Sequence, residues 1–164
     1  MTMVQTTKSI SFVAITTALI FNAGQAKAVS ANGTITQTVN AALGITNESA
    51  LGFGSAAAGD APKIVLPGTV DNTANGSFNV TGQSGQTYTI ILPIDGTVNL
   101  TTGAGGVNQT IPVYDFTSFP QSGANGLLAG AGYQLLLVGA TRGALVASQV
   151  AGTYTGTYSV TVVY

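Results

Sequence analysis

The C-terminal stretch, residues 152–164, alternates apolar side chains with hydroxyl-bearing ones at a period of two. Successive side chains of a β-strand point to opposite faces, so this spacing turns one row toward a core and the other toward solvent. Most of these residues are β-branched, aromatic or hydroxylic, and such types suit a pleated, half-buried surface. The pattern therefore predicts a strand whose core-facing side chains are Tyr154, Tyr158, Val160, Val162 and Tyr164.

A second alternating stretch covers residues 33–45 and predicts another strand. Burying its larger apolar side chains would contribute on the order of 10 kcal/mol. Within its own chain the strand would complete the domain, whereas in a neighbouring copy it would also meet an association cost of about 4–15 kcal/mol. Both placements are open at this point. The candidate assembly residues on its donor face are Ile35, Val39, Leu43 and Ile45.

Short β-like runs separated by Gly, Asn and Pro fill the chain between these stretches. We predict short strands at residues 51–54, 63–66 and 144–147. Residues 77–82 and 87–92 have the spacing of a hairpin. The Gly- and Ala-rich residues 121–132 predict a loop. Many short strands with regular turn signals are typical of a β-sandwich or a barrel, and we predict an all-β, antiparallel sandwich.

The first 28 residues have the pattern of a secretory signal peptide. Lys8 supplies the leading positive charge, Ile10–Phe21 is mostly apolar, and Ala26 and Ala28 are small residues at a cleavage site. The apolar run is shorter than the roughly 20 residues that a membrane span needs. The sequence therefore predicts an exported protein, found in the periplasm, at the cell surface or outside the cell, with a single domain at residues 29–164.

Composition restricts the partners of this predicted mature chain. Two basic side chains, Lys63 and Arg142, stand against five carboxylates, giving a formal charge of −3. Nucleic acids and anionic membranes reward clustered Lys and Arg, so we expect neither as a partner. The chain has no cysteine, and its stability must come from its core and its sheet hydrogen bonds.

The sequence offers little catalytic chemistry. It has no His and no Cys, which removes the commonest general base, the thiol nucleophile and the common zinc ligands. A glycosidase-like carboxylate pair is the remaining candidate. Asp60, Asp71 and Asp95 each stand beside turn residues, where Asp bonds to local backbone. We predict no enzymatic activity, no catalytic residue, no metal and no cofactor; a hydrolytic activity lost on replacing Asp95 or Asp115 would overturn this.

Three motifs in order, Leu51–Gly54, Phe78–Gly82 and Gly152–Tyr164, together with the signal peptide, resemble the bacterial DUF4402 family. More distantly they are similar to spore-coat-U-type and archaic chaperone–usher pilins. The resemblance implies an immunoglobulin-like sandwich exported by bacteria, and for DUF4402 it implies no established activity. The pilin relation implies subunits that lack one strand and accept the N-terminal strand of a neighbour. The chain departs from many pilins in having no cysteine pair.

These observations predict a non-enzymatic structural or interaction protein of the bacterial cell surface. The first alternative is a pilin-like subunit that assembles by donor-strand complementation. Its partners would be copies of itself or related subunits, and a periplasmic chaperone and usher. The alternative is a self-complemented binding or adhesive module. A small outer-membrane β-barrel ranks third, because the final strand ends on an aromatic residue but the chain has no Trp for aromatic girdles.

Overall fold

The computed structural model describes residues 27–164. Most of the predicted signal peptide, residues 1–26, lies outside this described part. The chain divides into two units, Met1–Gln37 and Thr38–Tyr164. The described residues of the first unit, 27–37, are exposed and form no strand, and every strand lies in the second unit.

Nine strands form the second unit, and the described residues contain no helix. Accordingly, no helix among residues 27–164 has the length and apolar character of a membrane span. The strands are β1 Gly44–Ser49, β2 Lys63–Val65, β3 Gly76–Thr81, β4 Thr87–Ile91, β5 Val98–Thr101, β6 Thr110–Phe119, β7 Gly123–Leu127, β8 Tyr133–Arg142 and β9 Thr161–Val163.

The strands make two antiparallel sheets. The larger sheet has the order β1-β3-β8-β6-β5, and β2 pairs with the last residues of β8, beyond the part that pairs with β3. The smaller sheet has the order β7-β4-β9. The prediction of an all-β, antiparallel sandwich is confirmed.

The core lies between the two sheets. The larger sheet contributes alternate residues of β3 and β8, and the smaller sheet contributes alternate residues of β4. Each such apolar side chain stabilises the fold by about 1.5–3 kcal/mol relative to an exposed one. The buried members of this first core cluster are Phe78, Val80, Tyr88, Ile90, Leu128, Leu136 and Val138.

The predicted hairpin between residues 77–82 and 87–92 is wrong. These residues form β3 and β4, but the two strands lie in opposite sheets. The apolar faces of both strands are buried against each other in the core, so the intervening turn carries the chain from one sheet to the other. At Gly82 the Tyr164 hydroxyl and the Leu128 side chain lie so close that a Cβ would clash with both.

Packing also overrides local sequence at three other places. The predicted loop at residues 121–132 contains β7, because Gly126 has no side chain and the Tyr88 ring lies directly over its backbone. Conversely, residues 51–54 and 144–147 form no strand. Their apolar side chains are still used: Leu51 and Phe53 pack against a second core cluster, formed by Val98, Val113 and Ala140, and Leu145 is buried.

We predict that Gly139→Ala lowers the free energy of unfolding by at least about 1–3 kcal/mol, the usual cost of overpacking. A Cβ at this buried position of β8 would meet backbone atoms of Val65, Leu66 and Pro67, which have no rotamer by which to move away. Urea denaturation measures the change. Gly130→Ala is the matched control, since no atom lies within 4 Å of its Cβ position; equal effects of the two substitutions would contradict the prediction.

Candidate functional site

The C-terminal stretch keeps its alternation but forms little sheet. Tyr158, Val160 and Val162 are half-buried and pack against the first core cluster, while the odd-numbered residues between them are exposed. Only β9 and a single bridge between Thr155 and Thr101 pair the backbone of this stretch. The inward faces of Tyr158, Val160 and Val162 thus follow the predicted parity, but the predicted continuous strand over residues 152–164 is not formed.

The two outer tyrosines of the stretch bind backbone groups rather than filling the core. Tyr154 donates its hydroxyl to the carbonyl of Val150 over 2.7 Å. Tyr164 is 53% exposed, and its hydroxyl donates to the carbonyl of Ala41 and accepts the amide N–H of Gln83. Tyr164 therefore holds the start of the domain against the β3–β4 turn.

The predicted donor-face residues fall into two groups. Ile35 and Val39 are 99% and 85% exposed, on a segment without strand structure. Leu43 and Ile45 are half-buried against the first core cluster, and Ile45 lies in β1, opposite Val80 of β3. The predicted strand over residues 33–45 is therefore not continuous, because only its end, from Gly44 onward, finds a partner strand in the same domain.

Each edge strand of the smaller sheet, β7 and β9, pairs on one side only within the described part of the chain. Among residues 27–164, β9 pairs only with β4, so its other edge has no backbone partner. The segment leading into β9 also borders an apolar cavity of about 270 Å³, which is otherwise lined by strands of the larger sheet and by residues 50–53. We call it the aromatic cavity; its lining includes Leu51, Phe53, Phe78, Leu100, Phe116 and Tyr158.

Tyr158 forms one wall of the aromatic cavity. Its ring makes an edge contact with Phe78, with centroids 5.9 Å apart, and a tilted contact with Phe116 at 5.5 Å. Its hydroxyl lies against Gly76, where a Cβ would clash, and has no hydrogen-bond partner in the described part of the chain. Burial raises the pKa of Tyr158 to about 12, since the charged form is poorly solvated there.

Three of the five carboxylates, Asp60, Asp71 and Asp95, lie outside the strands, whereas Glu48 lies in β1 and Asp115 in β6. Asp60 accepts the amide N–H of Ala57, and Asp95 accepts that of Asp115, each over 2.8 Å. Asp71 accepts the hydroxyls of Ser49 and Ser77. Within residues 27–164 no three His, Cys, Asp or Glu side chains come together as a metal site would require.

The family model described as a domain of unknown function, DUF4402, matches residues 16–164. The chain belongs to the DUF4402 family. No curated protein and no solved structure matches it. The family assignment names no activity, so the function of this DUF4402 domain has to be argued from its own geometry.

Sequence patterns did not reveal the aromatic cavity of this DUF4402 domain. Phe53 and Phe116 come from a strandless segment and from a strand whose pairing to β8 is irregular between Tyr114 and Thr117. The irregularity includes Asp115, whose φ is +52°, an uncommon value for a residue other than glycine. The sequence carried one relevant signal. Pro112, four residues before Phe116, suggests irregular strand pairing in that part of the chain.

We predict that Tyr158→Phe leaves the free energy of unfolding unchanged or raises it by up to about 1 kcal/mol, since it removes a buried hydroxyl without a partner. Tyr88→Phe is the matched comparison. The Tyr88 hydroxyl donates to Oε1 of Gln134 over 2.7 Å, and its loss should lower stability by about 1 kcal/mol. Urea denaturation at neutral pH measures both; a larger loss for Tyr158→Phe than for Tyr88→Phe would contradict this.

Stability should also fall as the pH rises from about 10 to about 12. Burial raises the pKa of both Tyr88 and Tyr158 from 10.0 to about 12, so the unfolded chain releases these protons first. The stabilisation is complete below pH 10 and is lost as the pH approaches 12. Either Phe variant should show a shallower decline than the unmodified protein in denaturation measured across this range, and parallel curves would refute this assignment.

Proposed function

We propose that this DUF4402 protein is a non-enzymatic, exported structural subunit of the bacterial cell surface that assembles by strand addition between copies. The observation that carries the proposal is a pair of complementary features in one chain. An N-terminal segment displays exposed apolar side chains at alternating spacing, and among residues 27–164 the outer edge of β9 pairs with no other strand. Strand addition joins such features through main-chain hydrogen bonds, with pockets receiving alternate side chains.

The donor is the segment of residues 33–42. Fully extended it reaches about 33 Å, which is enough to follow β9 and the stretch preceding it. Ile35 and Val39 stand four residues apart, so in a strand they share one face. Burying each contributes about 1.5–3 kcal/mol. Leu43 and Ile45 already pack in their own domain and serve as the anchor of the segment, not as inserted side chains.

The acceptor is the outer edge of β9 together with the aromatic cavity, which borders residues 156–158 just before that strand. Unpaired strand edges attract further strands because their N–H and C=O groups remain available. The aromatic cavity, about 270 Å³, offers an apolar volume to an inserted side chain. Tyr158 links the two features, since it lines the cavity and stands three residues before β9.

A specific observation favours the alternative, a self-complemented binding module. β1 pairs with β3 of the same domain. Leu43, just before β1, and Ile45, within it, pack on the first core cluster. In this form the segment before β1 is a tether and the domain acts as a monomer. The two functions differ in one measurable property, the assembly state of the exported protein.

Export of the full chain, followed by purification from the periplasm and electrophoresis without boiling, tests the proposal. We expect ladders of polymers that resist mild detergent. Ile35→Asp or Val39→Asp should weaken association by about ten-fold or more, because each removes a burial of at least about 1.5 kcal/mol. Val29→Asp is the matched control, since Val29 is 90% exposed near the same end of the described chain but lies outside the donor segment, residues 33–42. A monomer at every concentration would establish the alternative.

A mixing experiment separates donor from acceptor. Ala50 is exposed and lines the mouth of the aromatic cavity, so Ala50→Trp should obstruct the acceptor while leaving the donor segment intact. The double variant Ile35→Asp/Val39→Asp has the opposite defect. Mixing the two should give heterodimers and no longer species, as measured by light scattering. Formation of ladders by either variant alone would contradict this arrangement of donor and acceptor.

A further inference from the structure

A second cavity contains an arginine whose charge is not neutralised. Arg142 ends β8 and is only 5% exposed. Its Nη2 donates to the carbonyl of Ala61 over 2.8 Å. Its Nε and Nη1 have no hydrogen-bond partner anywhere in residues 27–164. Because a guanidinium carries five N–H donors, three of them, one on Nε and two on Nη1, are left without an acceptor.

No carboxylate in the described residues forms a hydrogen bond with Arg142. The nearest acidic residue in sequence to the bonded carbonyl is Asp60, and its carboxylate is used by the amide of Ala57. Asp71 and Asp95 bind groups elsewhere, as described above. Burial of an unpaired ion is strongly unfavourable, and buried charges in proteins are as a rule paired and hydrogen-bonded. The buried charge of Arg142 therefore calls for an anionic partner from outside the domain.

The surroundings of Arg142 have the form of a small-molecule site. A cavity of about 720 Å³, which we call the Arg142 cavity, is bordered by residues 50–58 and 149–156. Leu100, Ile111 and Leu145 give it apolar walls, and Arg142 is its one charged lining residue in the described chain. Ligand sites commonly have volumes of about 300–1,000 Å³, apolar walls and few polar groups.

We propose that the Arg142 cavity binds a small organic carboxylate with an apolar body, whose head group accepts the free N–H groups of Arg142. Charge-assisted bonds between guanidinium and carboxylate are strong and directional. A single cation neutralises a monoanion, whereas a phosphate dianion would retain one uncompensated buried charge. The ligand class follows from the single charge of Arg142 and from the apolar wall that Leu100, Ile111 and Leu145 form beside it.

One wall of the cavity is suited to admit the ligand. The free nitrogens of Arg142 are covered in the structure, so the wall must shift as the head group arrives. Residues 53–56 make no backbone hydrogen bond within the described part of the chain. Phe53 is held by the second core cluster, but Gly54, Ser55 and Ala56 are small and exposed, so these three can move without leaving a core contact.

Titration of the protein with hexanoate, and separately with hexanamide and inorganic phosphate, tests the proposal. Hexanoate should raise the melting temperature and shift the amide resonances of residues 52–58, whereas the uncharged hexanamide and phosphate should do neither. Arg142→Gln should weaken hexanoate binding by about ten-fold or more, since it removes charged hydrogen bonds. Lys63→Gln is the matched control, because Lys63 pairs with Arg142 across the sheet, is exposed and does not line the cavity.

Three outcomes would overturn the proposal. They are equal effects of hexanoate and hexanamide, binding of phosphate without hexanoate, and no response to hexanoate at any concentration reached. Should Arg142→Gln fail to fold, the comparison of hexanoate with hexanamide on the unmodified protein still decides between charge recognition and unspecific apolar binding. Neither result depends on assembly, so this proposal and that of strand addition stand or fall separately.

Discussion

The face-to-face contact of β3 and β8 with β4 is the interaction on which the rest of the domain depends. Without cysteine the chain has no covalent staple, and its two sheets are held by this apolar layer and by their own ladders. The layer fixes the orientation of β9, because Val160, just before this strand, and Val162, within it, pack on the layer.

Residue periodicity predicted the fold class and the faces of side chains, but not the pairing of strands. Period-two spacing correctly indicated that Tyr158 and Val160 face inward, since that depends only on local backbone geometry. The assignment of β3 and β4 to opposite sheets depends on long-range burial, and a turn of suitable length misled the prediction. Likewise β7 forms around the Tyr88 ring, a contact that no local pattern encodes.

The candidate sites differ in how far the sequence reveals them. Exposed apolar residues such as Ile35 and Val39 stand out by their spacing, and the structure adds that Ile45 belongs to β1. Arg142 gave no signal, because burial and missing partners are properties of the folded chain. Arg142 lies at the end of β8 where β2 pairs with it, and this pairing joins residues about 80 positions apart.

The hydrogen bonds of Tyr164 have a mechanical meaning. Its hydroxyl joins the carbonyl of Ala41 to the amide of Gln83, just where the N-terminal segment leaves the domain. A tensile force on that segment would first load this small junction and then pull β1 along its own axis against β3. Antiparallel ladders pulled in this direction must lose several hydrogen bonds together rather than one after another. Tyr164 thus takes up part of such a load before it reaches the β1–β3 ladder.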